Sequence, residues 1–170
     1  MENIKVVTLE PNQWKKYKDL RLRALKEEPQ AYASSYQDNV KHSGQFWKQR
    51  LEDAVKEQTR WLVFAKLEGK LVGMVGASIE KEIDNVHIIA VYVVPEERGK
   101  GISKLLMNSI LSKVKDNKLI KKITVEVNSE QLPALNLYKN SGFKVSKKYK
   151  MVLGDGKEHE IYQLQLSLAQ

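Results

Sequence analysis

The chain predicts a mixed α/β fold in one domain over residues 1–170, a mostly antiparallel sheet flanked by helices. Apolar residues switch between helical and alternating spacing several times along the chain. The connections between the central extended segments are short, which favours antiparallel neighbours. A 42% apolar content in 170 residues suffices for a sizeable core, and no linker or repeat divides it.

Taken in order, Ile4–Leu9 reads as a short strand. Pro11 suits the first turn of a helix carrying Trp14, Tyr17, Leu20, Leu22 and Leu25, which must stop before Pro29. Gly44 to Lys56 forms a second helix with Phe46, Trp47, Leu51 and Val55 on one stripe. Trp61–Leu67, Lys70–Glu80 and Val86–Val94 follow as strands, joined by the Glu68-Gly69-Lys70 turn and the Lys81–Asn85 segment. Ile102, Leu105, Leu106, Ile110 and Val114 mark an amphipathic helix. Lys122–Val127 is a strand, Leu132–Asn140 a short helix, and Phe143–Tyr149 and Glu160–Leu166 a closing pair of strands. The predicted order is βααβββαβαββ.

Composition narrows the function. Without cysteine there is no disulfide framework, thiol nucleophile or cysteine metal site, and His42 and His159 lack partners at ligand spacing. The longest apolar run, Ile88–Val94, is seven residues, against the ~20 that span a bilayer. The start, MENIKVVTLE, has no apolar secretory stretch, so a cytoplasmic protein is expected. The net charge of +8 owes much to five lysines in Lys113–Lys122 and five in Lys139–Lys150. Such a surface can attract nucleic acid, but no recognition motif accompanies it, and a solvated face is the simpler reading.

The chemistry concentrates in Val91-Tyr92-Val93-Val94-Pro95-Glu96-Glu97-Arg98-Gly99-Lys100-Gly101-Ile102-Ser103-Lys104. A β-branched strand enters a glycine-containing turn and then a helix, whose first amides lack intrahelical acceptors and carry partial positive charge. A diphosphate fits such a turn, and the glycines keep Cβ atoms out of its way. A Walker loop would need glycine at Val94, and a dinucleotide fingerprint glycine at Lys104. Two glycines can equally make only a tight strand-to-helix turn.

This segment resembles the acetyl-CoA diphosphate motif of the GCN5-related N-acetyltransferases (GNAT). A second stretch, Ala134-Leu135-Asn136-Leu137-Tyr138-Lys139-Asn140-Ser141-Gly142-Phe143, is similar to that family's A-x-x-L-Y-x-x-x-G-F, and the predicted element order matches its fold. Two departures stand out: Ser103 replaces the usual Gly or Ala, and Gln131 stands where many members have Asn. The resemblance implies direct transfer of an acetyl group from acetyl-CoA to a primary amine of a small molecule or peptide N-terminus, with no metal.

On the same resemblance, the amides of Arg98, Gly99, Lys100, Gly101, Ile102, Ser103 and Lys104 would hold the diphosphate, and Asn136 would contribute to the cofactor site. The backbone of Val91, Tyr92 and Val93 would pair with the pantetheine arm, and an amide of that strand would polarise the thioester carbonyl. Tyr138 would give a proton to the departing thiolate, assistance typically worth ~10²–10⁴ in rate; packing is its competing role. Glu126 stands where some members that acetylate protein N-termini place a base, or it is a solvent-facing strand residue. His87 titrates in a useful range but suits a packing role better. Tyr32 and Tyr36, in the inter-helix segment Pro29–Tyr36, would wall the acceptor pocket or join the core. Glu80, Glu82 and Asp84 would attract a cationic acceptor if they face it; an exposed acidic turn is the plainer reading. A homodimer through the C-terminal strands is consistent with the family. The rival functions are a catalytically inactive CoA-binding module of the same fold and a nucleic-acid binder.

Overall fold

The computed structural model describes residues 3–169. Strand β1 (Lys5–Val7) leads through a 3-10 turn at Pro11–Gln13 into α1 (Trp14–Glu27). After a second such turn at Pro29–Ala31 come a one-turn helix, α2 (Tyr36–Asn39), and α3 (Gly44–Lys56). Then follow β2 (Arg60–Leu67), β3 (Lys70–Ile79), β4 (Asn85–Val93), α4 (Ile102–Asp116), β5 (Lys122–Asn128), α5 (Leu132–Asn140), β6 (Lys144–Val152) and β7 (Glu158–Ser167). The predicted order holds with one addition, α2, which is initiated by Ser35, whose hydroxyl accepts a bond from the Asp38 amide (3.2 Å). The first strand is shorter than predicted and the final pair longer.

One seven-stranded sheet runs β1-β2-β3-β4-β5-β7-β6. All its pairings are antiparallel except β4 with β5. Successive side chains Trp61–Ala65 of β2 are all buried, so both sheet faces are covered there. Helices α1 and α3 pack against β3 and β2, and α4 packs against β2, β3 and β4. Tyr17 sets its ring edge-on to Trp47 (5.2 Å) and Phe64 (5.7 Å), locking α1 onto α3 and the sheet.

The parallel pairing positions everything that follows. It runs from Asn85↔Lys122 to Ile88↔Val125 and stops. Just beyond, the β3–β4 register shifts between Met74 and Gly76, and Ala90 adopts φ +55°, a left-handed conformation uncommon for a residue with a Cβ. This β-bulge twists β4 away from β5. At the far edge, β6 carries Lys144, Lys147, Lys148 and Lys150, which discourage strand addition there.

Four lysines of the two basic runs are ion-paired. Lys113 pairs with Glu57 (2.5 Å), Lys121 with Asp84 (3.9 Å), Lys122 with Glu82 (2.9 Å) and Lys150 with Glu158 (3.6 Å). Glu82 and Asp84 thereby belong to an exposed, ion-paired turn. No helix among the described residues is long and apolar enough to cross a membrane.

Candidate active site

A cavity of about 700 Å³ opens where β4 leaves β5, within the size range of ligand pockets. Its walls include Tyr32, His87, Val91, Glu126, Asn128 and Tyr138. The backbone of β4 faces it in a defined sense. The Val94 amide donates to the Val72 carbonyl (2.9 Å), so strand alternation turns the polar groups of Tyr92 toward β3 and the carbonyls of Val91 and Val93 away from it. Both carbonyls accept bonds from side chains: Tyr32 Oη donates to Val91 O (2.8 Å) and Arg98 Nε to Val93 O (2.9 Å). The Val93 amide points to the same open side.

At the end of β4 the chain makes a 3-10 turn at Pro95–Glu97 and enters α4 through Gly99 (φ +80°) and Gly101 (φ +78°). Among the described residues, chain neighbours aside, no atom lies within 4 Å of where a Cβ would sit on either glycine, so conformation, not crowding, demands them. Gly101 is the N-cap of α4 and supplies no side-chain acceptor, which leaves the first amides of the helix open. The predicted set of amides needs one correction. The Arg98 amide is bonded to the Pro95 carbonyl (3.3 Å), so it drops out of that set.

The side chains of this turn are mostly committed elsewhere. The Arg98 guanidinium folds back onto Val93 O and Glu28 (3.0 Å). Lys100 pairs with Glu97 (2.7 Å). Ile102 is buried in the core and offers only its main chain. Ser103 lines the cavity, and Lys104 is exposed. Tyr92 is buried, with its hydroxyl donating to Glu27.

On the opposite wall, α5 begins with Pro133 in its first turn and turns Ala134, Leu137 and Tyr138 to the cavity. Tyr138 is buried and packs edge-on against Phe143 (6.2 Å). Burial alone pushes its phenol well above the usual tyrosine value, so it is a protonated donor across the neutral range. Asn136 is exposed and is not part of the cavity wall. Two positions along a helix is a rotation of about 200°, so Asn136 and Tyr138 cannot share a face.

Glu126 is half-buried in the cavity wall and accepts a hydrogen bond from Tyr149 of β6. The solvent-facing alternative does not hold. Burial and this carboxylate together push the Tyr149 phenol upward, keeping it a donor. His87 also reaches the cavity, with Nδ1 against Thr124 Oγ1 (3.0 Å) on the neighbouring strand. Tyr32 is buried, lies under the Arg21 guanidinium (4.6 Å), and has its phenol pushed up by burial. Tyr36 does not line the cavity: Ser35 starts α2, and the Tyr36 ring packs on the core under Lys26 (5.9 Å). Glu80, alone of the acidic trio, is part of the wall.

The wall residue Asn128 carries no sequence signal. Asn128 donates to the Gln30 carbonyl (3.0 Å) and contacts His159 Nδ1 (3.2 Å), whose Nε2 meets Asp155 (2.8 Å). The Gly154 amide donates to the Tyr32 carbonyl (2.7 Å). These bonds tie the β6–β7 turn to the Tyr32 segment, which is why that segment holds its shape.

Residues 19–143 match the sequence model of the Acetyltransferase (GNAT) family. The chain belongs to that family. Its sequence is 26% and 29% identical over 114 residues to the N-alpha-acetyltransferases of Sulfurisphaera tokodaii and Sulfolobus acidocaldarius. Each alignment covers 61% of this chain and 68% of the relative. In structure, the chain superimposes on a GNAT acetyltransferase of Streptococcus pneumoniae with a TM-score of 0.87 at 15% identity, covering 98% of this chain and 100% of that one. The yncA protein of Salmonella typhimurium, solved with its cofactor acetyl-CoA, gives 0.84 at 14% identity, covering 99% and 95%. The chain is therefore an acyl-transferring enzyme by family, with the family's mixed sheet.

Proposed function

We propose that the chain is a single N-acetyltransferase domain that moves an acetyl group from acetyl-CoA to a primary amine, with peptide N-termini the leading acceptor class. The observation that carries this reading is the gap between β4 and β5. Main-chain polar groups of β4 line one side of it, the protonated Tyr138 and the Glu126 carboxylate line the other, and the uncapped start of α4 closes the end. Acetyl-CoA fits these residues: the uncapped amides at the start of α4 suit a diphosphate, and the Val93 amide suits the pantetheine arm. Strand-like pairing along Val91–Val93 is narrower than the family resemblance implies, because both outward carbonyls already accept a bond; each retains a second lone pair.

When bound, acetyl-CoA supplies an activated acetyl group on a thiol leaving group. The protein's residues do the rest. An acceptor amine is protonated at neutral pH and attacks only after losing a proton. Glu126, held by Tyr149, takes that proton directly or through water, and Tyr138 gives one to the departing sulfur. The N-alpha-acetyltransferase relatives support a peptide acceptor, as does the carboxylate base. The test is acceptor-dependent thiol release with peptide N-termini and small amines. Release with N-terminal peptides is expected. Tight CoA binding without release for any acceptor indicates the inactive CoA-binding module instead.

A further inference from the structure

Four buried side-chain polar atoms lack a hydrogen-bond partner among the described residues: Arg21 Nη1, Trp47 Nε1, Arg50 Nε and Arg60 Nη1. All four are N–H donors. They come from α1, α3 and β2, three elements packed in series. Buried unpaired donors are costly, and buried guanidinium groups more so. A cavity-lining guanidinium with no carboxylate bonded to it among the described residues is a place that a bound anion would stabilise.

Of these four residues, Arg21 alone lines the cavity. Arg21 is itself part of the cavity wall, stacked on Tyr32, whose hydroxyl bonds Val91 O on β4. The groups around Arg21 are the neutral phenols of Tyr32 and Tyr17 and the like charge of Arg50. Burial and Arg50 both work against its charge, lowering its pKa from the ordinary arginine value. Arg60 lies further out, also near Arg50, where Asp53 and Glu80 offset part of its charge without bonding to it. Arg21 is thus the cation of the wall with the least compensation.

We infer that Arg21 is a receptor for a carboxylate carried by the acceptor a few atoms from its reacting amine. The inference rests on the acetyl-transfer reading and names the acceptor's chemistry within it. A planar guanidinium binds a carboxylate through two parallel N–H donors, and charge-assisted bonds of this kind are roughly twice as strong as neutral ones. The carboxylate has two sources: the α-carboxylate of a free amino acid, or an acidic first side chain of a peptide.

Paired acceptors separate them. Alanine is compared with alaninamide, and Asp-Ala-Ala-amide with Asn-Ala-Ala-amide, by kcat/KM for the wild type, Arg21→Gln and Arg21→Lys. The wild type is expected to prefer the carboxylate member of one pair at least tenfold. Arg21→Gln should abolish the preference and Arg21→Lys should retain part of it. Equal use of both members of both pairs by the wild type, or an undiminished preference in Arg21→Gln, overturns the inference. A binding readout keeps it separate from catalysis. With CoA present, N-acetylalanine or N-acetyl-Asp-Ala-Ala-amide should raise the wild-type melting temperature more than its neutral counterpart does, and not in Arg21→Gln. If thiol release fails for every acceptor yet this shift is seen, the acetyl-transfer reading falls while the anion receptor stands. If neither acid produces a shift beyond its neutral counterpart, the receptor falls.

Discussion

Helices α3 and α4 both have glycine at the N-terminal end, Gly44 as the first residue of α3 and Gly101 as the N-cap of α4, for opposite reasons. At α3, a Cβ on Gly44 would lie 2.7 Å from the Trp14 ring, so glycine is there to let the ring pack. That end is also closed by its own chain, since the Ser43 hydroxyl accepts a bond from the Phe46 amide (3.4 Å). At α4, Gly99 and Gly101 have open space around them and hold positive φ, and no side chain caps the amides. One helix end is finished by the protein; the other is left for a ligand. A glycine therefore marks a binding turn only when its conformation, rather than a neighbour, requires it.

The largest expected effect separates docking at α4 from chemistry. Tyr138→Phe should lower kcat by ~10²–10⁴ while leaving the CoA dissociation constant unchanged, measured by turnover and calorimetry side by side. Wild-type turnover in this variant would remove Tyr138 from the chemistry and leave only a packing role. Next comes the α4 end itself. Gly101→Val forces a β-branched residue into the left-handed region, at a cost of about 1–3 kcal/mol. CoA should bind at least about tenfold more weakly. Ser43→Ala supplies the contrast: about 1 kcal/mol lost in denaturant unfolding, and no change in CoA affinity. If Ser43→Ala weakened CoA binding as much as Gly101→Val, the two ends would not differ in kind.

The smallest expected effect is a flat response. Burial raises the folded-state value of Tyr138 above the unfolded value near 10, so its protonated form persists as pH rises. Turnover should lose nothing through this group between about pH 8 and 10, where an ordinary tyrosine would ionise by half. The stability linked to Tyr138, and to Tyr32 in the same sense, is fully present below pH 10 and declines only above it. A kcat profile falling with a midpoint below 10 in the wild type, and not in Tyr138→Phe, would contradict this.

What the sequence made legible was local. The β4–turn–α4 segment and the Ala134–Phe143 stretch each lie within about fifteen consecutive residues, so spacing alone revealed them. Long-range contacts were not legible. Tyr149 on Glu126, Tyr32 on Val91 and Asn128 on Gln30 join residues 23, 59 and 98 positions apart. The bulge at Ala90 hides inside an unbroken apolar run, because twisting a strand needs no distinctive residue. Arg21 looks like any helix arginine in the sequence, and only its buried, unbonded Nη1 and its place in the cavity wall set it apart. Asn136 differs: the rotation of about 200° that separates it from Tyr138 on α5 is legible in the sequence and turns it away from the cavity.

The central claim is that the open amides at the start of α4 hold the diphosphate of coenzyme A. Calorimetric titration of the wild-type protein with CoA and, separately, with pantetheine tests it most directly. The account predicts saturable binding of CoA and a large loss of affinity for pantetheine, which lacks the diphosphate. No binding of CoA, or equal affinity for the two, would contradict it.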